Sequence, residues 1–214
     1  LGKKASRTLN IGVFGGSFDP VHYGHLLLAQ QCLDSSALDQ VLFVPVARSP
    51  LRPRGPIADA KARVEMLQLA IADHPQFAIS TLELDRGEIS YTVDTLRALK
   101  LASPDDTFCL LMGLDSLLDF PRWHEPQEIL KIAQLLVVNR PGTSGPTVAE
   151  AWQVLSGYAT DEQIDAIRSS IVDSQQFEFS STDIRQRVAR GRSIRFRTPR
   201  AVEKYIETQG LYRE

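Results

Sequence analysis

The run Leu9 to Phe14 is short, apolar and rich in β-formers, and it ends on Gly15-Gly16. From about Tyr23 to Leu33 the apolar residues switch to helical spacing, and Val41-Leu42-Phe43-Val44-Pro45-Val46 is a second apolar run. Strand, helix and strand within about 40 residues predict a parallel βαβ unit. A chain that opens this way must cover both faces of its sheet, so the strands that follow should also be short and fully apolar. Phe108-Cys109-Leu110-Leu111-Met112, ending on Gly113, and Leu135-Leu136-Val137-Val138 meet that expectation.

Between them, helices are expected from about Asp59 to Asp73 and from Thr92 to Lys100, with a strand from Phe77 to Leu84. Residues 148–172 read as helix, Phe177-Glu178-Phe179 as a brief strand, and two helices close the chain, from about Ser181 to Ala189 and from Pro199 to Thr208. The expectation is an α/β fold: a doubly wound, Rossmann-like parallel sheet with a helical C-terminal part. Residues 1–8 read as a polar leader with no apolar core to make a signal peptide. Residues 9–214 read as one domain, with a core over 9–178 and a helical part over 179–214. Residues 47–58, with Pro50, Pro53 and Pro56 among arginines, read as a loop and a candidate lid.

Composition narrows the function classes. The 214 residues carry a formal charge of −2, which calls for neither a nucleic-acid nor a membrane partner. Seven arginines between Arg185 and Arg200 read as a solvated basic face around one anion-binding side chain. No run of 18 apolar residues occurs, so no membrane span is expected. Cys32 and Cys109 lie in apolar runs without metal-type spacing and read as core thiols of a cytoplasmic protein.

In open parallel sheets, ligands bind outside the carboxyl ends of the strands. Four unusual segments fall there, after Phe14, Val46, Met112 and Val138. The first is the most telling. Gly15-Gly16 admits a bulky anion, Asp19-Pro20 turns the chain, and His22 and His25 stand three apart at a helix start. Free N–H groups and the helix dipole favour phosphate there, and two imidazoles can donate to phosphoryl oxygens. No Gly-x-x-x-x-Gly-Lys-Ser/Thr and no Gly-x-Gly-x-x-Gly is present, and no Glu or Cys stands beside the histidines to complete a metal site. Further along, Ser180-Ser181-Thr182 precedes a helix with Arg185 near its start, which is either a second anion site or a plain capped helix. Asp115 after Gly113 suits a ribose hydroxyl or a helix cap. Trp123, in a proline-bounded loop, suits ring stacking or the core.

The segment Gly15-Gly16-Ser17-Phe18-Asp19-Pro20-Val21-His22-Tyr23-Gly24-His25-Leu26 resembles the nucleotidyltransferase signature with its His-x-Gly-His element. More narrowly, it resembles the bacterial nicotinate-nucleotide adenylyltransferases. The likeness continues through Ser90-Tyr91-Thr92, Met112-Gly113-Leu114-Asp115-Ser116-Leu117, Trp123, Asn139-Arg140-Pro141, Ser180 to Arg185 and the ending Tyr205-Ile206 with Gly210-Leu211-Tyr212. It implies transfer of AMP from ATP to nicotinate mononucleotide in NAD biosynthesis, with Mg²⁺ carried on ATP and no protein metal site. The rival acceptors are nicotinamide mononucleotide or another phosphate ester; the rival class is a non-catalytic nucleotide-binding paralogue.

By the same resemblance His22 and His25 are the catalytic residues. ATP falls to Gly15, Gly16, Ser17, Phe18, both histidines, Gly113, Asp115, Arg140, Ser181, Thr182 and Arg185. The mononucleotide falls to Gly16, Ser17, Tyr91, Thr92, Trp123 and Arg140. The chain departs from the family at Leu51, where a histidine is usual, at Val46-Ala47, where asparagines are usual, and at Ile89, where proline is common. Leu51 removes a polar contact to phosphate, with Arg48, Arg52 or Arg54 available to supply charge. Homo-oligomerisation stays open.

Overall fold

A computed structural model describes residues 7–50, 55–139, 148–173 and 179–213. The elements in chain order are β1 (Asn10–Gly16), α1 (Tyr23–Ser35), β2 (Gln40–Pro45), α2 (Ala60–Ile71), β3 (Phe77–Ile79), α3 (Leu82–Arg86), α4 (Thr92–Ala102), β4 (Thr107–Gly113) and α5 (Leu114–Leu118). After a 3₁₀ turn at Phe120–Arg122 come α6 (Pro126–Ile132), β5 (Gln134–Asn139), α7 (Val148–Leu155), α8 (Asp161–Ser169), β6 (Val172–Asp173), α9 (Ser181–Ala189) and α10 (Arg200–Gln209). The strands form one sheet in the order β3-β2-β1-β4-β5-β6, and every pairing is parallel. This is the expected doubly wound arrangement. Its switch point lies between β1 and β4, where the chain first winds one way and then the other.

Alternation along the central strands explains why both faces are covered. Phe14, Val41, Phe43, Leu111 and Leu136 pack into one buried cluster with α1, α2, α9 and α10. Their neighbours Val13, Val44, Leu110, Met112 and Leu135 pack into a second with α4, α5, α6 and α8. Successive side chains of a strand point to opposite faces, so an unbroken apolar run is the pattern for a strand buried on both.

Two expectations are corrected. The strand expected over Phe77 to Leu84 stops at Ile79, and Leu82–Arg86 is helix, closed by Gly87 in the left-handed region at φ 71°. Phe77 and Ile79 alternate, and so do Leu82 and Leu84, but the step of three from 79 to 82 breaks the period of two where the strand ends, and the glycine decides where the helical turn ends. The single helix expected over 148–172 is two helices and an edge strand. Thr160 starts α8 afresh, its hydroxyl accepting from the Gln163 N–H at 3.2 Å while Gln163 returns a bond to the Thr160 N–H at 3.0 Å. Val172 then pairs with Val138 to extend the sheet. Of the brief strand expected at 177–179, Phe179 is in no strand and the other two residues lie outside the described ones. So do Leu51, Arg52 and Arg54 of the candidate lid.

The turn between β1 and α1 has no ladder to satisfy its backbone, and distant side chains do so instead. The carbonyls of Ser17, Asp19, Pro20 and Val21 accept from Arg63 (2.9 Å), Arg185 (2.6 Å), Ser181 (2.9 Å) and Thr198 (2.7 Å) respectively. The Asp19 side chain, 3% exposed, binds in the other direction. Its Oδ2 accepts from the Ile57 N–H at 2.7 Å, and its Oδ1 from the Ala58 N–H at 3.1 Å and the Tyr212 hydroxyl at 2.7 Å. Burial and this bond push the Tyr212 phenol far above its ordinary range.

Replacing Asp19 by alanine leaves three donors without their acceptor, the Ala58 N–H among them buried, and should lower unfolding free energy by about 3 kcal/mol. Tyr212→Phe, which leaves one acceptor short of a donor, should cost about 2 kcal/mol. Urea unfolding monitored by circular dichroism checks both. Burial also pushes the Cys32 thiol up to about 12, and raises that of Cys109. In the native protein at pH 8 neither should react quickly with a disulfide reagent such as Ellman's, and both should react on unfolding.

Candidate active site

His22 and His25 meet at the head of α1. His22 is the N-cap, in extended conformation at φ −146°, and His25 is the third residue of the helix. The His22 N–H donates to His25 Nδ1 at 3.2 Å, and the two rings stack at 3.7 Å between centroids and 21° between planes. A neutral imidazole that accepts at Nδ1 carries its proton on Nε2, so this bond makes His25 Nε2 a donor facing away from the helix backbone. Phe18 meets the His25 ring edge-on at 5.0 Å and Phe14 lies at 6.0 Å. Phe18 is fully buried although its φ is 47°, a region that bulky residues enter only where their surroundings hold them.

The glycine between the histidines is explained by the same packing. A Cβ on Gly24 would stand 3.0 Å from the His22 ring and 3.1 Å from the Phe179 Cβ. Any side chain there presses on the histidine stack.

Arg185 comes to the same turn from α9. It is the fifth residue of that helix, just past the first turn. Its Nη1 donates to the Asp19 carbonyl and its Nη2 to Thr182 Oγ1 at 3.2 Å. Ser180 is the N-cap, its hydroxyl accepting from the Asp183 N–H at 3.5 Å, while Ser181 is spent on the Pro20 carbonyl. The resemblance's ATP-phosphate set therefore assembles from both ends of the chain.

On the β1 side of the turn lies a cavity of about 560 Å³. It is lined by Gly15, Gly16, Ser17, Tyr91, Thr92, Gly113 and Trp123 among the residues expected to bind substrate. The cavity sits between the carboxyl ends of β1 and β4, at the switch point of the sheet. Trp123 contacts Phe120 at 5.7 Å between ring centroids, so it serves the core and the cavity wall together. Tyr91 is the N-cap of α4 and stands 4.5 Å from the His124 ring. Tyr91 makes no side-chain capping bond at the start of α4, and a helix start in general favours an anion.

Some expected residues stand apart from the cavity. His22, His25, Ser181, Thr182 and Arg185 are not among its lining, and neither is Asp115, which is exposed in the first turn of α5 without a capping bond. Arg140 lies outside the described residues. The segment 15–25 thus bridges two regions: its glycine end borders the cavity and its histidine end meets α9.

The cavity wall also contains residues that the sequence reading did not single out, notably Glu83, Thr95, Ser116 and His124. Glu83 is 6% exposed, and Thr95 Oγ1 donates to its Oε1 at 2.6 Å. Burial raises the Glu83 carboxyl above the ordinary glutamate range, against the lowering effect of hydrogen bonds from Thr95 and Ser90 and of the Arg86 charge. The sequence hint was there: one acid between Leu82 and Leu84, three residues before Arg86. Among the described residues, no group of three or more His, Cys, Asp or Glu side chains is arranged to hold a metal, and no helix is long and apolar enough to cross a membrane.

Residues 13–187 match the cytidylyltransferase-like family. A protein of Rhodopirellula baltica named probable nicotinate-nucleotide adenylyltransferase is 42% identical over 203 residues, covering 95% of this chain and 93% of its own length. A protein of the same name from Thermus thermophilus is 43% identical over 205 residues, covering 96% of this chain and 100% of its own. In fold, the chain is similar to the Plasmodium falciparum nicotinic acid mononucleotide adenylyltransferase complexed with NaAD, with a TM-score of 0.72 at 19% identity over 95% of this chain and 97% of that one. Both the histidine turn and every residue of the cavity wall fall within the matched span, and the chain belongs to the cytidylyltransferase-like family, in its nicotinate-nucleotide adenylyltransferase group.

Proposed function

We propose that the protein transfers AMP from ATP to nicotinate mononucleotide, releasing pyrophosphate and forming the deamido precursor of NAD. The observation that carries this reading is the continuity of one turn with two regions: Gly15–Ser17 borders a cavity with Trp123 in its wall, and five residues beyond Ser17 begins the stacked histidine pair. Family membership supplies the reaction class.

In this reading the pyridine ring of the acceptor enters the cavity, with Trp123 beside it and the first turn of α4, Tyr91 and Thr92, near its carboxylate. Gly16 and Ser17 line the path of its phosphate. ATP lies along Gly15 to Phe18, with Gly113 and Asp115 near its ribose, Arg140 towards the nucleotide, and Ser181, Thr182 and Arg185 at its outer phosphates. The acceptor phosphate attacks the α-phosphorus in line, its oxygen forming the new P–O bond as the bond to pyrophosphate breaks. No covalent enzyme intermediate is needed, so positioning and charge stabilisation carry the rate.

His25 Nε2–H and the His22 ring donate to the oxygens on which negative charge grows. Mg²⁺ carried on the ATP phosphates supplies further neutralisation there. The enzyme works in the cytoplasm, where Cys32 and Cys109 remain thiols.

His25→Ala should lower kcat by about 10²–10³ while ATP still binds, as loss of one preorganised donor does elsewhere. Pyrophosphate release with ATP and the acceptor is the assay; full retained activity excludes the electrostatic role. Comparing kcat/KM for the two pyridine mononucleotides tests the acceptor. Nicotinate mononucleotide should be favoured, and equal or better use of the amide overturns the assignment. No pyrophosphate with either would mark a non-catalytic relative.

A further inference from the structure

Glu83 occupies an unexpected place. Its carboxyl lies in the wall of a cavity read as the site of an anionic acceptor, and AMP transfer gives it no proton to move and no bond to make. Burying such a group costs free energy that an apolar side chain of similar size would not incur.

Its hydrogen bonds indicate what it does. Thr95, on the first full turn of α4, donates its hydroxyl to Glu83 at 2.6 Å, and the Arg86 Nη2 lies 3.5 Å from the same hydroxyl oxygen. The Ser90 hydroxyl also favours the ionised form of the Glu83 carboxyl. That hydroxyl oxygen in turn accepts from the Ala47 N–H at 3.2 Å, and the Ser90 N–H donates to the Arg48 carbonyl at 2.9 Å. The loop after β2 is therefore tied to Ser90, which shares the cavity wall with Glu83, and Glu83 is tied to α4. Glu83, Ser90, Thr95, Val46 and Ser49 all line the cavity.

We propose that Glu83 is the positioning residue of the acceptor pocket, fixing the loop after β2 and the first turn of α4 relative to each other through the hydroxyls of Ser90 and Thr95. This rests on the function proposed above. Glu83 acts on substrate only through these partners. It holds the α4 start and the loop in the spacing that an acceptor ring and its carboxylate require, and it leaves the ATP side, built on Asp19 and Arg185, untouched.

The test is steady-state kinetics of the full chain with each substrate varied, alongside melting temperatures. Glu83→Leu should raise KM for nicotinate mononucleotide about tenfold or more, the effect of losing one to two net hydrogen bonds. KM for ATP and the melting temperature should stay near wild type. Glu83→Gln, which keeps an oxygen for Thr95, should restore most of the acceptor KM. Thr95→Val should raise the acceptor KM alone and add little on top of Glu83→Leu, since both break one network. If Glu83→Leu does not fold, Thr95→Val and Glu83→Gln decide by the same measure. An acceptor KM unchanged in these variants, or one that moves together with the ATP KM and the melting temperature, overturns the proposal and leaves the function standing. A wild-type protein inactive with nicotinate mononucleotide overturns the function, and the proposal with it.

Discussion

The buried side chain of Asp19 is the interaction on which the rest of the site depends. A turn between a strand and a helix leaves its peptide groups without partners. Asp19 answers by accepting two N–H groups at the entrance to α2 and the hydroxyl of Tyr212. Its own carbonyl and those of Ser17, Pro20 and Val21 are met by side chains from α2, from α9 and from the approach to α10. With its backbone held on both sides, the turn can present His22 as an N-cap and stack His25 on it. The histidine pair is thus set by contacts that neither histidine makes.

This arrangement divides the labour of the site. The glycine end of the turn faces a cavity bounded by α4 and Trp123, and the histidine end faces α9. A displacement reaction needs its two reactants in line and little else from the protein. One continuous backbone that meets a different wall at each end supplies a shared frame of reference. Phe14, Phe18 and Phe43 pack beneath it with ring centroids 5.5–5.6 Å apart, so the frame rests on the core itself.

Much of this could be read from the chain alone, for identifiable reasons. Runs such as Phe108–Met112 are apolar at every position because both faces of the central strands are covered, and that pattern has few other readings. Gly15-Gly16 and the paired histidines were legible because their spacing is unusual for a purely structural turn. The boundary between β3 and α3 was not, since Phe77 with Ile79 and Leu82 with Leu84 each alternate, and only the step of three between the pairs marks the break. Neither was β6, whose two residues carry too little pattern to outweigh the helical stretch before them. Glu83 was missed because a lone acid between two leucines carries no motif, and its partner Thr95 lies twelve positions on, in the next helix. Tyr212 was noted as part of an ending that resembles relatives, but its bond to Asp19 spans 193 positions, and no local pattern encodes a contact of that length.

That span bears on how the protein is made. During synthesis β1, α1 and β2 emerge first and can pair early, and their glycine-rich turn emerges with them. Yet Ser181, Arg185, Thr198 and Tyr212, which hold the turn's carbonyls and the Asp19 carboxyl, come from the last 34 residues. Contacts of such separation form late, because the intervening loop must close before they give any return. The histidine turn is therefore encoded next to β1 and completed by residues that follow β6. A fragment that stops short of these residues can hold a nearly whole sheet while the contacts that fix the histidine turn are missing.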